Sequence, residues 1–485
     1  MITLPPELAA FAAGVKQRTL PNGLTALVVP RRGSATVHFA IAFGVGAVDE
    51  PEGRSGIAHL YEHMAFKGTP RIGTRNWPRE RALLARLDAL DEALALERAR
   101  HAPDARKLAR LKKTFDRTEA QAEKLVVPNE LDELYQRNGA KGLNAYTSKD
   151  ATVYIVNLPA NRMALWAAIE GERVRTPVLR QFYRERNVVI EELRRYDDMP
   201  QWRLYEKLPL LAYSAHPYRT PIIGWLSDLE RMTRRDLEQF FRSRYRPDRA
   251  VAAVVGAVDP AAAFRLIERT FGSWRAGSPA PRPLSTVEPE QRGERRAVER
   301  MAANSQVGMA WPIPTWGHPD KVALDALAVV LGKGDSSRLH SALVKGKQCA
   351  VSVFAYPDYP GERYARLFIV GAVPRAPHGP EECERAIDEE IGRLVRDGVA
   401  PRELEKASNL MEADVFKRLT DNSSLASDLA HTHAVTGDWR RPLELVAELR
   451  ALTPDDLKRV AKTYLVPARR SVGTIENSAP AGTTP

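Results

Sequence analysis

The run Ser55-Gly56-Ile57-Ala58-His59-Leu60-Tyr61-Glu62-His63-Met64-Ala65-Phe66-Lys67-Gly68 decides how this chain is read. Within it, His59-Leu60-Tyr61-Glu62-His63 has the form H-x-x-E-H, the reverse of the H-E-x-x-H spacing. Residues i and i+4 of a helix share a face, with Cβ atoms roughly 6 Å apart, so imidazoles at 59 and 63 can reach one Zn²⁺ at about 2.0–2.1 Å. Glu62 projects beside them, where a carboxylate can take a proton from an acidified water. Ser55 is placed to cap the helix start, Lys67 suits the last turn, and Gly68 suits the C′ position. Ile57, Leu60 and Met64 make a separate apolar stripe that can pack while the His59/Glu62/His63 face stays open. A surface helix with two solvated histidines would carry the same spacing.

Zinc needs a third protein ligand and an open position. The candidate segment is Glu185-Arg186-Asn187-Val188-Val189-Ile190-Glu191-Glu192, on a helix expected to start at Thr176-Pro177 and to end before Pro200. Glu185 and Glu192 are two turns apart and share a face, whereas Glu191 points about 100° away. A charged helix with solvated glutamates also meets this spacing.

The stretch Gly46-Ala47-Val48-Asp49-Glu50-Pro51-Glu52-Gly53-Arg54, continuing through the H-x-x-E-H run to Thr69, resembles the zinc helix of the pitrilysin family. This is the inverted-motif (inverzincin) metallopeptidase family of insulin-degrading enzyme and mitochondrial processing peptidase, including a bacterial processing-peptidase-like branch. Glu185-Arg186 followed by Val188 and Glu192 resembles its third-ligand helix. The resemblance implies Glu192 as the third metal ligand beside His59 and His63, and Glu185 as a supporting carboxylate of the catalytic centre. Gly142-Leu143-Asn144-Ala145-Tyr146-Thr147-Ser148 and Asp150-Ala151-Thr152-Val153-Tyr154 resemble the family's edge strand, which implies that Asn144 and Ala145 pair with substrate backbone. The matches follow family order and span nearly the whole chain.

At 485 residues with 44% hydrophobic content, the chain has room for two to four domains. It lacks about 18 consecutive apolar residues, so no membrane span is expected. The start, Met1-Ile2-Thr3-Leu4-Pro5-Pro6-Glu7, has no basic and apolar leader. The chain as given reads as soluble and cytoplasmic, or periplasmic where a signal peptide was removed before residue 1. The net charge of +11 is interspersed, without a basic block carrying aromatics, so nucleic acid is not an expected partner. Two cysteines, Cys349 and Cys383, make neither a disulfide framework nor a cysteine metal site.

Pro21-Asn22-Gly23 is expected to turn between strands at 16–20 and 24–29. Val37, Phe39, Ile41 and Phe43 alternate as a half-buried strand. Residues 78–125 change character: Leu83, Leu87, Leu90 and Leu94, then a break at His101-Ala102-Pro103-Asp104, then Leu108, Leu111 and Phe115 predict a helical hairpin inserted between the second histidine and the third ligand. Gly277-Ser278-Pro279-Ala280-Pro281-Arg282-Pro283-Leu284-Ser285 reads as a linker. Thr233, Asp236, Leu237 and Pro247 recur, 220 residues on, as Thr453, Asp456, Leu457 and Pro467. Phe66-Lys67-Gly68 matches Gly332-Lys333-Gly334, which sets His59, Glu62 and His63 against Asp325, Ala328 and Val329. The expected architecture is α+β: two homologous α/β-sandwich halves joined by a linker into a clam-shell. Residues 1–275 form the zinc-binding half, 276–295 the linker and 296–485 a metal-free half.

Gly334-Asp335-Ser336-Ser337-Arg338-Leu339 resembles the family's second-half signature, after which active members carry an Arg and a Tyr that hold the substrate carbonyl. Here Val344 and Val351 stand at those positions. The expected function is therefore a zinc-dependent endopeptidase acting on peptides or unfolded segments. It would be the metal-bearing subunit of a hetero-oligomer whose homologous partner supplies the Arg/Tyr pair, or else a homodimer or monomer using Lys345 or Lys347. The alternative is a non-catalytic structural subunit of the same fold.

Overall fold

A computed structural model of the protein describes residues 3–31, 33–279 and 283–478. The first half runs α1 (Pro6–Gly14), β1 (Lys16–Thr19), β2 (Thr25–Pro30), β3 (Thr36–Phe43), α2 (Ile57–Met64), α3 (Trp77–Arg98), α4 (Ala105–Glu123), α5 (Glu130–Arg137), β4 (Lys141–Thr147), β5 (Thr152–Pro159), α6 (Met163–Arg173), α7 (Phe182–Asp197), α8 (Pro200–Ala212), α9 (Leu226–Arg231), α10 (Arg234–Arg244), β6 (Ala250–Gly256) and α11 (Pro260–Phe271). The second half follows the same plan with β7 (Arg295–Met301), β8 (Gln306–Ile313), α12 (Lys321–Gly332), a π-helical turn at His340–Gly346, β9 (Ala350–Tyr359), β10 (Arg366–Pro374), α13 (Pro380–Asp397), α14 (Pro401–Thr420), α15 (Asn422–Thr436), α16 (Arg441–Ala451), α17 (Pro454–Tyr464) and β11 (Ser471–Asn477). Met1, Ile2 and residues 280–282 of the proline-rich stretch lie outside the described residues, and 283–294 reach β7 without helix or strand.

The two sheets have the strand orders β1-β2-β6-β3-β5-β4 and β7-β11-β8-β10-β9. Without β1 they are the same topology. In each, the first strand runs parallel to the last, β2 with β6 and β7 with β11, and the other pairings are antiparallel. The sequence repeat is structural. Thr233 caps α10 by accepting from Asp236 N at 3.1 Å, while Asp236 accepts from Thr233 N. Thr453 and Asp456 repeat both bonds at α17.

The halves exchange helices. α8 of the first half lies across β8 and β11, and α15 of the second covers β3 and β6. Gly308 and Gly473 permit the first of these approaches, because a Cβ on either would come within about 3 Å of Leu208 or Leu204. The second approach changes β3. Expected to be half-buried, it is buried on both faces, with Ala40 and Ala42 packed under Leu425, Leu429 and Ala430 of α15.

The residue 78–125 insertion is a pair of packed helices, α3 and α4, and Asp104 caps the second by accepting from Arg106 N and Lys107 N. Two ion pairs fasten α3 to the scaffold: the buried Arg180 Nε to Glu80 Oε1 at 2.8 Å and the partly buried Arg234 Nε to Asp88 Oδ1 at 2.8 Å. Cys349 and Cys383 are both free and buried. Among the described residues, no helix is long and apolar enough to cross a membrane.

Candidate metal centre

α2 is the floor of the site. Ile57, Leu60 and Met64 are buried in the first core, leaving His59, Glu62 and His63 along one side. Its N-terminus is served differently from the sequence expectation. Ser55 does not cap the helix: its Oγ donates to Asp228 Oδ2 at 2.6 Å and accepts from Trp225 N, tying the helix approach to α9. Glu50 instead accepts from Gly56 N at 3.0 Å and Ala58 N at 2.9 Å, although burial pushes its carboxyl up to about 8. Gly56 has φ 84 and Gly68 φ 93, so both ends of the segment need the left-handed freedom of glycine.

α7 lies against α2. It starts at Phe182, not at Thr176-Pro177, with Gln181 at φ 58 as its entry. The reason is Arg180. Its buried guanidinium reaches the carbonyls of Lys67, Thr69 and Ile72, which holds the preceding segment out of helix.

The structure brings His59, His63 and Glu192 together: one nitrogen from each imidazole and one carboxylate oxygen lie within 4.8 Å of one another. Glu192 Oε2 is 3.8 Å from His59 Nε2 and 3.5 Å from His63 Nε2. A tetrahedral zinc with bonds of about 2.05 Å has ligand–ligand edges of roughly 3.3 Å, so a small contraction would close this set around an ion. Two imidazoles and a carboxylate are also a donor set that zinc takes. Glu191 turns away to an ion pair with Arg194 in solvent.

Glu185 stands behind His63. Its Oε1 lies 3.1 Å from His63 Nδ1 and its Oε2 pairs with Lys67 Nζ at 2.6 Å. A carboxylate on the distal nitrogen orients an imidazole and leaves Nε2 to face the site. Burial raises Glu185, but the bonds from His63 and Lys67 outweigh it and hold the carboxyl below its usual range. Burial opposes protonation of His63, yet the Glu185 hydrogen bond and the nearby carboxylates lift it above the usual histidine value. Burial, then the His63 charge, presses His59 down to about 3, so its lone pair stays free.

Glu62 is raised by burial, against the hydrogen bond it accepts at Oε2 from Thr147 Oγ1 at 2.6 Å. Thr147 is a residue that sequence reasoning left without a role. It lies in the quoted edge-strand run, but no spacing rule ties a strand hydroxyl to a helix carboxylate. Asn144 and Ala145 sit on the same strand, β4, at the edge of the first sheet with β5 as its one neighbour. They line a cavity of about 310 Å³ together with Glu62, His63 and Phe66.

Two related sheet-and-helix halves, one carrying a reversed zinc-helix motif, are the clam-shell architecture of a class of metallopeptidases. The family profile described as Insulinase (Peptidase family M16) matches residues 27–89, and that described as Peptidase M16 inactive domain matches residues 231–411. "Zinc protease PqqE" of Helicobacter pylori is 28% identical over 453 residues, covering 92% of this chain and 89% of its own. "Mitochondrial-processing peptidase subunit beta" of Lentinula edodes is 23% identical, covering 92% and 86%. The crystal structure of a protease from Helicobacter pylori superposes with a TM-score of 0.80 at 26% identity, covering 98% of this chain and all of that one. The chain belongs to peptidase family M16.

Proposed function

We propose that this chain is a zinc-dependent endopeptidase that hydrolyses peptides or unfolded protein segments, with its first half (residues 1–275) bearing the metal and its second (296–485) closing over it. The observation that carries the reading is the convergence of His59 Nε2, His63 Nε2 and Glu192 Oε2 beside Glu62 and an unpaired sheet edge. His59, His63 and Glu192 would hold the ion. When bound, zinc supplies Lewis acidity for the scissile carbonyl and for water. Glu62 takes the proton of the attacking water and returns it to the leaving amine, with Thr147 steadying its carboxylate. Its raised pKa suits both steps. Glu185 fixes the ring of His63. Backbone groups of Asn144 and Ala145 pair with an extended substrate, which accepts many side chains because the bonds are to main chain.

The second half lacks the carbonyl-holding pair. Val344 is packed against the second core and Val351 is exposed on β9. Of the substitutes, Lys347 is bound to Glu389 at 2.6 Å and Lys345 is exposed. We assign the missing Arg/Tyr to a homologous partner subunit, in line with a relative that is itself named as a subunit. Lost oxyanion donors cost about 10²–10³ in rate, so the chain alone should be slow and a partner should restore that factor. The test is hydrolysis of a generic unstructured peptide with and without chelator, alone and with the co-purified partner. Activity that is insensitive to chelator refutes the zinc reading. Stoichiometric zinc without hydrolysis in any assembly favours the alternative, a structural subunit of the same fold, for which the two valines speak.

A further inference from the structure

The helical insertion does more than lengthen the chain between the metal-facing residues. α3, α4 and α7 enclose a cavity of about 1190 Å³, with room for several residues of an extended peptide. One face of α3 supplies Leu84, Leu87 and Leu94, α4 supplies Phe115, and α7 supplies Tyr183 and Val188. Its charged rim mixes signs, Asp91 and Asp116 with Arg98 and Arg195, so it offers no preference for net charge. Val188 is the telling residue. Its neighbour Val189 is fully buried, whereas Val188 is 47% exposed, an apolar side chain held toward the cavity one turn before Glu192.

The cavity opens onto the metal centre. His63 and Glu192 line it, and His63 also lines the smaller cavity beneath Asn144 and Ala145. A chain paired to β4 that runs past His63 therefore passes into the space between α7 and the hairpin. The ion pairs of Glu80 with Arg180 and of Asp88 with Arg234 fix that outer wall.

We infer that the α3–α4 insertion and α7 form a recognition cleft for large apolar side chains, Leu or Phe, of the peptide segment that runs past His63. This rests on the peptidase reading, and it adds a determinant of specificity that backbone pairing at β4 lacks.

Two variants test it from opposite walls. Val188→Trp fills the cleft from α7, and Ala120→Trp fills it from an exposed position of α4; neither replaces a core residue. The substrates are quenched fluorescent peptides, identical except for Leu or Ser scanned through the positions flanking the cleavage point. The zinc-loaded full chain is expected to prefer Leu at one or more of these positions, and each variant should reduce the Leu-over-Ser ratio of kcat/KM about tenfold. Thermal unfolding midpoints and zinc content identify a misfolded variant. A dansylated Leu-containing peptide, followed by fluorescence on the same proteins, gives a readout without turnover. Hydrolysis with an unchanged ratio overturns the cleft and leaves the peptidase standing. Dansyl-peptide binding weakened by both variants, with no peptide cleaved by the chain alone or with its co-purified partner, overturns the peptidase and leaves the cleft standing. An effect from Val188→Trp alone overturns the role of the insertion.

Discussion

Helices α2 and α12 occupy the same slot in the two sheets, each following the second strand of the shared topology, and their fates differ. α2 buries Ile57, Leu60 and Met64 and turns Glu62 and His63 toward a cavity, with His59 beside them. α12 is buried nearly all round. The position facing His59 is Asp325, locked to Lys321 one turn earlier, and the position facing Glu62 is the buried Ala328. Where the His-Glu-His face is absent, the helix has become core. Polar groups at this slot are tolerated only where an ion-pair partner, as for Asp325, or else a ligand, a proton-transfer partner or water can meet them.

The sharpest break of this contrast is chemical. Glu62→Gln should reduce peptide hydrolysis about 10³-fold while zinc content by elemental analysis stays stoichiometric. Retained activity would make α2 as inert as α12. Next, Ala328→Glu places an unpaired charge in the sealed slot and should destabilise by about 3 kcal/mol or more in urea unfolding, whereas Glu62→Ala at the open slot should move stability by less than about 1 kcal/mol.

Glu185→Ala leaves the three donors in place but frees the His63 ring, and zinc affinity should weaken about 10–100-fold in chelator competition. Glu185 also holds the His63 pKa up, so protons compete with zinc as pH falls through that raised value. In the variant the acidic limit of zinc binding should move to lower pH. The smallest effect belongs to Asp320, at the start of α12. It accepts from Arg459 and Tyr464 at 2.7 Å each, and although burial opposes ionisation, these partners hold it below its ordinary 3.8. Its contribution is present above the unfolded value and lost as pH falls through the folded one. Asp320→Asn should cost about 1 kcal/mol at neutral pH, with the gap to the parent protein closing in acid.

Much of this was legible because the signals were local. The H-x-x-E-H turn, the recurring Thr-Asp pairs, which the structure shows to be capping boxes, and the proline-aspartate break of the hairpin each act within a few residues. The misses came from distant contacts. Ser55 is drawn to Asp228, Arg180 delays α7 until Phe182, and α15 seals the outer face of β3. Thr147 reaches Glu62 across 85 positions of sequence, beyond any periodicity.

The exchange of α8 and α15 bears on how the molecule can be divided. Either segment, expressed alone, would leave a sheet face of small residues uncovered and an orphan helix in solution, a combination prone to aggregate. A nick in the proline-rich connection should instead leave two fragments that co-elute, because each clasps the other. Mixing separately made fragments would require mutual rescue during synthesis, so gene fission here is expected to succeed only by co-expression.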